Sequence, residues 1–335
     1  MKAWLSHTPG GPHSLVLDEV PVPVAEGSDL LVKVEAVGVN FPDCLLLRDQ
    51  YQVRPARPFA PGGEFCGVVT GLGPDASGFS VGDVVVGRCV HGAMAQWIAI
   101  GADRCQKVPA GMPRTDAAAF LFAYATAYHA LRSAGGLVAG ETVLVLGASG
   151  GVGSAAVDLA RALGARVLVA VSSQEKLEFA KSCGAEAGIV YPLRLESAEQ
   201  KKALSAELKA LAGASGVDLV LDPVGGEYSE PALRCLASLG RYLVVGFTAG
   251  IPRIPLNLVL LNGRKVIGVD WKTLVTREPA VARSNLQHLF QLWEQGAISP
   301  KVTATYDFSQ APEAIEQLES RAALGKIVVK VDHDA

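Results

Sequence analysis

The six cysteines, Cys44, Cys66, Cys89, Cys105, Cys183 and Cys235, are scattered, and no two of them form a C-x-x-C pair. That spacing argues against a disulfide framework and against a structural zinc knuckle, and it leaves them as small core residues of a reducing compartment. The chain also lacks a basic excess: its formal net charge is −3. Neither nucleic acid nor an anionic membrane surface is therefore expected as a main partner. Long apolar runs are missing too. The opening MKAWLSHTPGG has no signal-peptide core, and the richest stretch, Ala117 to Leu131, is short and interrupted by Thr126 and His129. A cytoplasmic protein without membrane spans is expected. No Ser/His/Asp order argues for hydrolysis.

Against these absences stand 335 residues, half of them apolar and 19% charged. That length exceeds one comfortable core, so about two domains are expected. Residues 143 to 153, VLVLGASGGVG, carry the strongest signal. Four apolar residues, Val143 to Leu146, read as a buried strand and run into a glycine-dense turn. The amphipathic run from Ser154 to Leu163 follows, closed by Gly164. Strand, glycine turn and helix in that order hold a pyrophosphate. Glycine lets the backbone come close, and a helix N-terminus offers unpaired N–H groups with partial positive charge.

Up to about residue 110 the pattern is short β-rich runs cut by Gly and Pro: Leu30–Val39, Gly67–Leu72, Val84–Gly87 and Ala95–Ile100. Thr115 and Asp116 offer N-cap chemistry to an apolar helix running to about Arg132. Beyond it strands and helices alternate. Strands are read at Val143–Leu146, Arg166–Val171, Ile189–Tyr191, Val217–Leu221, Tyr242–Val245 and Lys265–Val269. Helices are read at 154–163, 174–183 and Ser197–Leu211. This alternation calls for a doubly wound parallel sheet. A helix near Ala311–Glu319 and a strand at Ile327–Val331 end the chain. Periodicity leaves open whether they rejoin the first domain or cap the second.

The second strand of the alternation should end at the adenosine ribose. There an NAD site would carry a carboxylate for the 2′-hydroxyl. This chain has Ser172 and Ser173, then Lys176. Two hydroxyls and a cation suit a 2′-phosphate, which favours NADPH. The alternative is that the serines only cap a helix and Lys176 lies in solvent. Tyr191 could line the same pocket or simply pack. Other strand ends carry Asp222-Pro223-Val224-Gly225-Gly226, Gly246-Phe247-Thr248 and Val269-Asp270, which are either ligand contacts or ordinary turns.

Gly38-Val39-Asn40-Phe41 with Asp43, Pro61-Gly62-Gly63-Glu64, Val81-Gly82-Asp83, Thr126 to Leu131 and Ala148 to Gly153 together resemble the medium-chain dehydrogenase/reductase superfamily. The resemblance lies with its zinc-free quinone oxidoreductase (zeta-crystallin-like) branch. It implies an α/β fold: a GroES-like catalytic domain over residues 1–120, an inserted Rossmann domain over 121–265, and a C-terminal segment, 266–335, completing the catalytic domain. It also implies a homodimer. The positions of the catalytic zinc ligands of alcohol dehydrogenases match Asn40 and Gly63 here, neither of which can act as a thiolate or imidazole ligand. No metal is expected. Hydride transfer to quinones or α,β-unsaturated carbonyls needs no Lewis acid, since a delocalised oxyanion can be held by hydrogen bonds.

The resemblance further implies that Ser149, Gly150, Gly151, Val152 and Gly153 take the pyrophosphate. Ser172, Ser173, Lys176 and Tyr191 then face the adenosine end, and Gly246, Phe247, Thr248 and Val269 lie near the nicotinamide. Asn40 and Thr126 fall in the cleft, and Arg321 is a weaker cofactor candidate, more readily a solvated cation. Tyr51 resembles in placement the tyrosine acid of enoyl-thioester reductases; it either donates a proton or packs against the nicotinamide. His129 reads as a satisfied core histidine, and Asp43 either orients a loop or does chemistry. Two departures stand out: Asp49 where many relatives have Gly, and Lys272 after Trp271 where Gly is expected. The expected activity is NADPH-dependent reduction of a small quinone or enone. A 2-enoyl-thioester (acyl-CoA) reductase and a non-catalytic NADPH-binding structural or sensor protein are the alternatives.

Overall fold

The structure is a computed structural model that describes residues 1–333. Its contacts divide the chain into two units: Met1–Phe122 together with the segment from Pro300 onward, and Ala123–Ser299.

The first unit is built on a β sheet whose central strand, Asp29–Val39, alternates Leu30, Val32, Val34 and Ala36 into the core. That two-residue period buries one face as far as Ala36, and past the register shift at 34–36 Val37 and Val39 are buried as well. Across the sheet the order is Val302–Asp307, Lys326–Lys330, Asp29–Val39, Glu64–Leu72, Val84–Arg88 and Cys105–Lys107, with Trp97–Gly101 also paired to Asp29–Val39. The tail therefore rejoins the first unit: Ile327 stands opposite Val39 and Lys330 opposite Ala36. Gly38 is required here, since a Cβ would fall 2.1 Å from the Ala118 carbonyl oxygen. Phe65, Leu46, Leu47, Phe308 and Ile315 fill the core below. A separate two-stranded ribbon, Lys2–Ser6 with Leu15–Glu19, was not anticipated from the sequence.

The second unit holds six parallel strands. In chain order they are Thr142–Leu146, Arg166–Val171, Ala187–Val190, Val217–Asp222, Leu236–Val244 and Lys265–Gly268. In space they run three-two-one-four-five-six, the doubly wound order whose switch point lies at the first strand. Every strand is parallel to its neighbours, so all C-terminal ends share one edge of the sheet.

Three boundaries differ from the sequence expectation. Residues 266–299, expected with the catalytic domain, cluster in the second unit. Strand Lys265–Gly268 pairs with Leu236–Val244, and helix Pro279–Glu294 is tied down by Tyr128 Oη to His288 Nδ1 (2.6 Å) and Asn285 Nδ2 to Ser133 Oγ (3.0 Å). The apolar run from Thr115 is not one regular helix. An α turn over Arg114–Ala118 is followed by π-helical turns at Leu121–Ala125 and His129–Ala134 around Thr126–Tyr128. Pro113, not Thr115 or Asp116, takes its N-cap, because the proline adopts the extended ψ of 143° that a cap needs. Finally, Tyr191 lies just past the third strand, held by its N–H to the Val171 carbonyl (2.8 Å).

Candidate cofactor and substrate sites

Strand Thr142–Leu146 delivers the glycine turn to the shared C-terminal edge. Gly147 sits at φ 57°, a left-handed conformation that glycine adopts without strain, and its carbonyl accepts from Gly150 N at 3.1 Å. Helix Gly151–Ala162 begins there with no side-chain cap and no acidic residue in its first turn. Its first N–H groups and its positive dipole end are thus available to an anion. The two flanking glycines differ. A Cβ on Gly153 would lie 2.2 Å from Gly147 O, so the close crossing of turn and helix needs glycine. A Cβ on Gly150 would meet nothing nearer than the Gly147 carbonyl oxygen at 3.6 Å, an ordinary van der Waals contact. This cradle fits a pyrophosphate. Ser149 is buried, and Asp158 anchors the helix by accepting from Tyr124 Oη (2.8 Å) and Ser299 N (2.8 Å).

At the end of the second strand, Ser173 caps helix Gln174–Ser182, accepting from Lys176 N at 3.3 Å. The capping alternative is therefore realised for Ser173. Lys176, however, folds its ammonium back onto Ser172 Oγ at 3.0 Å. A hydroxyl and a cation are thus placed side by side at the position where a ribose carboxylate would stand. Tyr191 is buried and packs on Tyr228 with ring centroids 4.6 Å apart, within the cluster of Leu168, Leu195 and Leu204.

Asp222 organises the far half of the same edge. Its Oδ1 accepts from Val224 N (2.7 Å) and Gly225 N (2.8 Å), and its Oδ2 accepts from Ser229 Oγ (2.7 Å) and from Tyr242 Oη. Burial and the adjacent carboxylate push the Tyr242 phenol well above its usual pKa, so it stays protonated as a donor. Gly246 N and Val245 N bond the Asp222 carbonyl, Thr248 Oγ1 donates to Pro223 O (3.3 Å), and Phe247 is 48% exposed. Val269 N reaches Val244 O, and Asp270 caps helix Trp271–Arg277. Parallel topology brings these strand-end residues and those of the glycine turn to one edge.

Thr126 is half-buried between the π-helical turns. The neighbouring His129 departs from expectation: its Nδ1 is buried without a hydrogen-bond partner, and burial lowers its pKa. Arg321 is exposed at φ 61°.

In the first unit, Asn40 opens helix Phe41–Leu47 in a capping box with Asp43. Asp43 Oδ2 accepts from Asn40 N (2.8 Å) and its Oδ1 from Gly62 N (3.1 Å). It therefore orients the 61–63 loop. Burial raises its carboxyl to about 6, with the two backbone donors opposing. The Asn40 side chain bonds Glu64 Oε1 (3.0 Å), Gly38 O (3.2 Å) and Lys326 Nζ (2.6 Å). Glu64 and Lys326 are 1% and 4% exposed. Lys326 went unnoticed in the sequence; its one signal is a lysine placed directly before the apolar Ile327-Val328-Val329. Tyr51 is half-buried against the core of this unit. Nearby, Asp49 adopts φ 55°, a left-handed conformation that glycine adopts with less strain, and it pairs with Arg57 at 2.7 Å.

Two family models match the chain: an alcohol dehydrogenase GroES-like domain over residues 26–128 and a zinc-binding dehydrogenase domain over 151–286. A quinone oxidoreductase-like protein 2 from Rattus norvegicus is 33% identical over 320 residues, spanning 95% of this chain and 89% of that one. The chain belongs to the quinone oxidoreductase family of medium-chain dehydrogenases/reductases. Among solved family structures, the quinone oxidoreductase of Thermus thermophilus, determined with and without NADPH, is 34% identical with a TM-score of 0.82 over 98% of this chain and all of that one. A mycobacterial protein complexed with NADPH is 31% identical with a TM-score of 0.89, covering 98% and 99%. The chain also matches, at 30% identity over 97% of its length, 15% of a mycocerosic acid synthase-like polyketide synthase of Mycobacterium tuberculosis.

The zinc implied by the second family model does not fit the residues present. The Asn40 carbonyl oxygen already faces an ammonium that would repel a metal cation, and Gly63 has no side chain to offer as a ligand. Among the described residues no group of three or more His, Cys, Asp or Glu side chains is placed to hold a metal ion.

Proposed function

We propose that this protein is an NADPH-dependent oxidoreductase that reduces quinones or α,β-unsaturated carbonyls without a metal. The observation that carries the cofactor choice is the Lys176–Ser172 contact at a strand end that has no carboxylate. The amides of Gly151, Val152 and Gly153, together with Ser149, hold the pyrophosphate. Ser172, Ser173 and Lys176 take the 2′-phosphate, Tyr191 bounds the adenosine end, and Gly246, Phe247, Thr248, Val269 and Thr126 flank the nicotinamide. Bound NADPH supplies a hydride, and a quinone or enone receives it into a delocalised oxyanion. Tyr51 hydrogen-bonds that oxygen or delivers the closing proton, and Asn40 is the fixed polar anchor of the substrate side. Both NADPH-complexed neighbours and the quinone oxidoreductase relatives support the reading.

A second reading, 2-enoyl-thioester reduction, is favoured by the polyketide synthase match and assigns Tyr51 the acid role. We further infer a cytoplasmic homodimer. No helix among the described residues is long and apolar enough to cross a membrane. Strand Lys265–Gly268 ends the parallel sheet, and Val266, Leu256, Leu260 and Leu261 are exposed on or near it.

The test is NADPH oxidation with naphthoquinones, short enones and crotonyl-CoA. Turnover with the first two classes, insensitive to chelators, is expected. Turnover confined to crotonyl-CoA and lost in Tyr51→Phe selects the second reading. Tight NADPH binding with no turnover on any acceptor rejects both.

A further inference from the structure

We propose that Lys326 is a positioning residue: it fixes which way the Asn40 amide faces and so sets the polar surface that the substrate side presents. The inference rests on the oxidoreductase reading above. Lys326 opens the last strand, yet its side chain turns inward and is almost wholly buried. All three of its N–H donors are used, on Asn40 Oδ1 (2.6 Å), Glu64 Oε1 (2.5 Å) and Val39 O (3.2 Å). With no donor left over, it acts through Asn40 and not on a substrate.

The chemistry of the partners dictates the orientation. An ammonium can only donate and a carboxylate can only accept. Asn40 therefore must turn Oδ1 to Lys326 and Nδ2 to Glu64; the flipped amide would set donor against donor and acceptor against acceptor. Glu64 is itself pinned, because its second oxygen accepts from Phe122 N at 2.7 Å. Asp43 holds the Asn40 backbone from the other side. Both Nδ2 hydrogens are spent, on Glu64 Oε1 and Gly38 O, so the amide is held in this one orientation. A buried ion pair adds little stability over a well-packed apolar pair, so orienting a neighbour is the better reason for keeping a charge here.

The test separates orientation from charge balance. Lys326→Met alone leaves the Glu64 carboxylate buried without its cation and is expected to fold poorly. The double variant Lys326→Met/Glu64→Gln removes both charges and is expected to recover the fold. In the double variant kcat should fall about ten-fold or more, as small misplacements of a reacting geometry do, while KM for NADPH stays within about two-fold. The side-chain amide protons of Asn40, assigned by their loss in Asn40→Ser, should exchange with solvent about ten-fold faster than in the wild type. A double variant with wild-type kcat or with wild-type amide exchange overturns the proposal. Should the wild type turn over no acceptor, the redox reading fails on its own, and the exchange comparison alone decides the role of Lys326.

Discussion

The glycine turn of the second unit and the Asn40 cluster of the first are both polar centres at the end of a strand, but they are made in opposite ways. The turn offers the main-chain N–H groups of residues 151 to 153 at the start of a helix, and its geometry comes from side chains that are absent. The cluster works with four side chains, Asn40, Asp43, Glu64 and Lys326, drawn from segments up to 286 residues apart. The turn should therefore fail through steric intrusion with electrostatics untouched. The cluster should fail through unbalanced charge and should respond to pH.

The largest effect sharpens that contrast within the turn. Gly153→Val drives a side chain into the Gly147 carbonyl and should cost about 2–4 kcal/mol in denaturant unfolding, with NADPH binding lost. Gly150→Ala has room in the protein itself, so it should cost less than about 1 kcal/mol while still weakening the cofactor. Equal stability losses in the two variants would break the argument that one glycine serves packing and the other the ligand.

Next in size is the ribose end. Ser172→Asp sets a carboxylate against the 2′-phosphate and should raise KM for NADPH about 30-fold, near 2 kcal/mol, with little change for NADH. Steady-state kinetics with both cofactors reads it; an unchanged ratio would show that Ser172 and Lys176 do not face the 2′-phosphate.

The smallest concerns Asp43. Its folded pKa, about 6, lies above the ordinary 3.8 because of burial. Protonated Asp43 thus favours the folded state: the contribution is complete below about pH 3.8 and is lost as pH rises through about 6. The stability difference between wild type and Asp43→Asn should accordingly drift by about 1–2 kcal/mol against the wild type from pH 4.5 to 7.5, as measured by urea unfolding. A flat difference would show that the carboxyl stays ionised throughout.

Legibility in the sequence followed the same divide. The strand, turn and helix around Gly150 could be read because each part is local, and the parallel alternation followed from repeated strand and helix periods. The placement of residues 266–299 could not, since the pairing of Lys265–Gly268 with Leu236–Val244 is tertiary. Helix Pro279–Glu294 carried a usable signal in Leu286, Leu289, Phe290 and Trp293, spaced i, i+3, i+4 and i+7. Strand Val302–Asp307 alternates, but through Thr, Ala and Tyr that are at most half-buried, so its period was muted. Lys326 carried only a faint signal, for a different reason. Nothing near it in the chain explains a buried lysine, and its partners Asn40 and Glu64 are met only through the return of the last strand to the first sheet.

The central claim is that main-chain amides after Gly150 and the Lys176–Ser172 pair together select a phosphorylated nicotinamide. Calorimetric titration of the protein with NADPH and NADH tests it most directly. NADPH is predicted to bind at least about ten-fold more tightly, a difference of about 1.4 kcal/mol that Lys176→Ala should largely erase. Equal or tighter binding of NADH by the unaltered protein would contradict it.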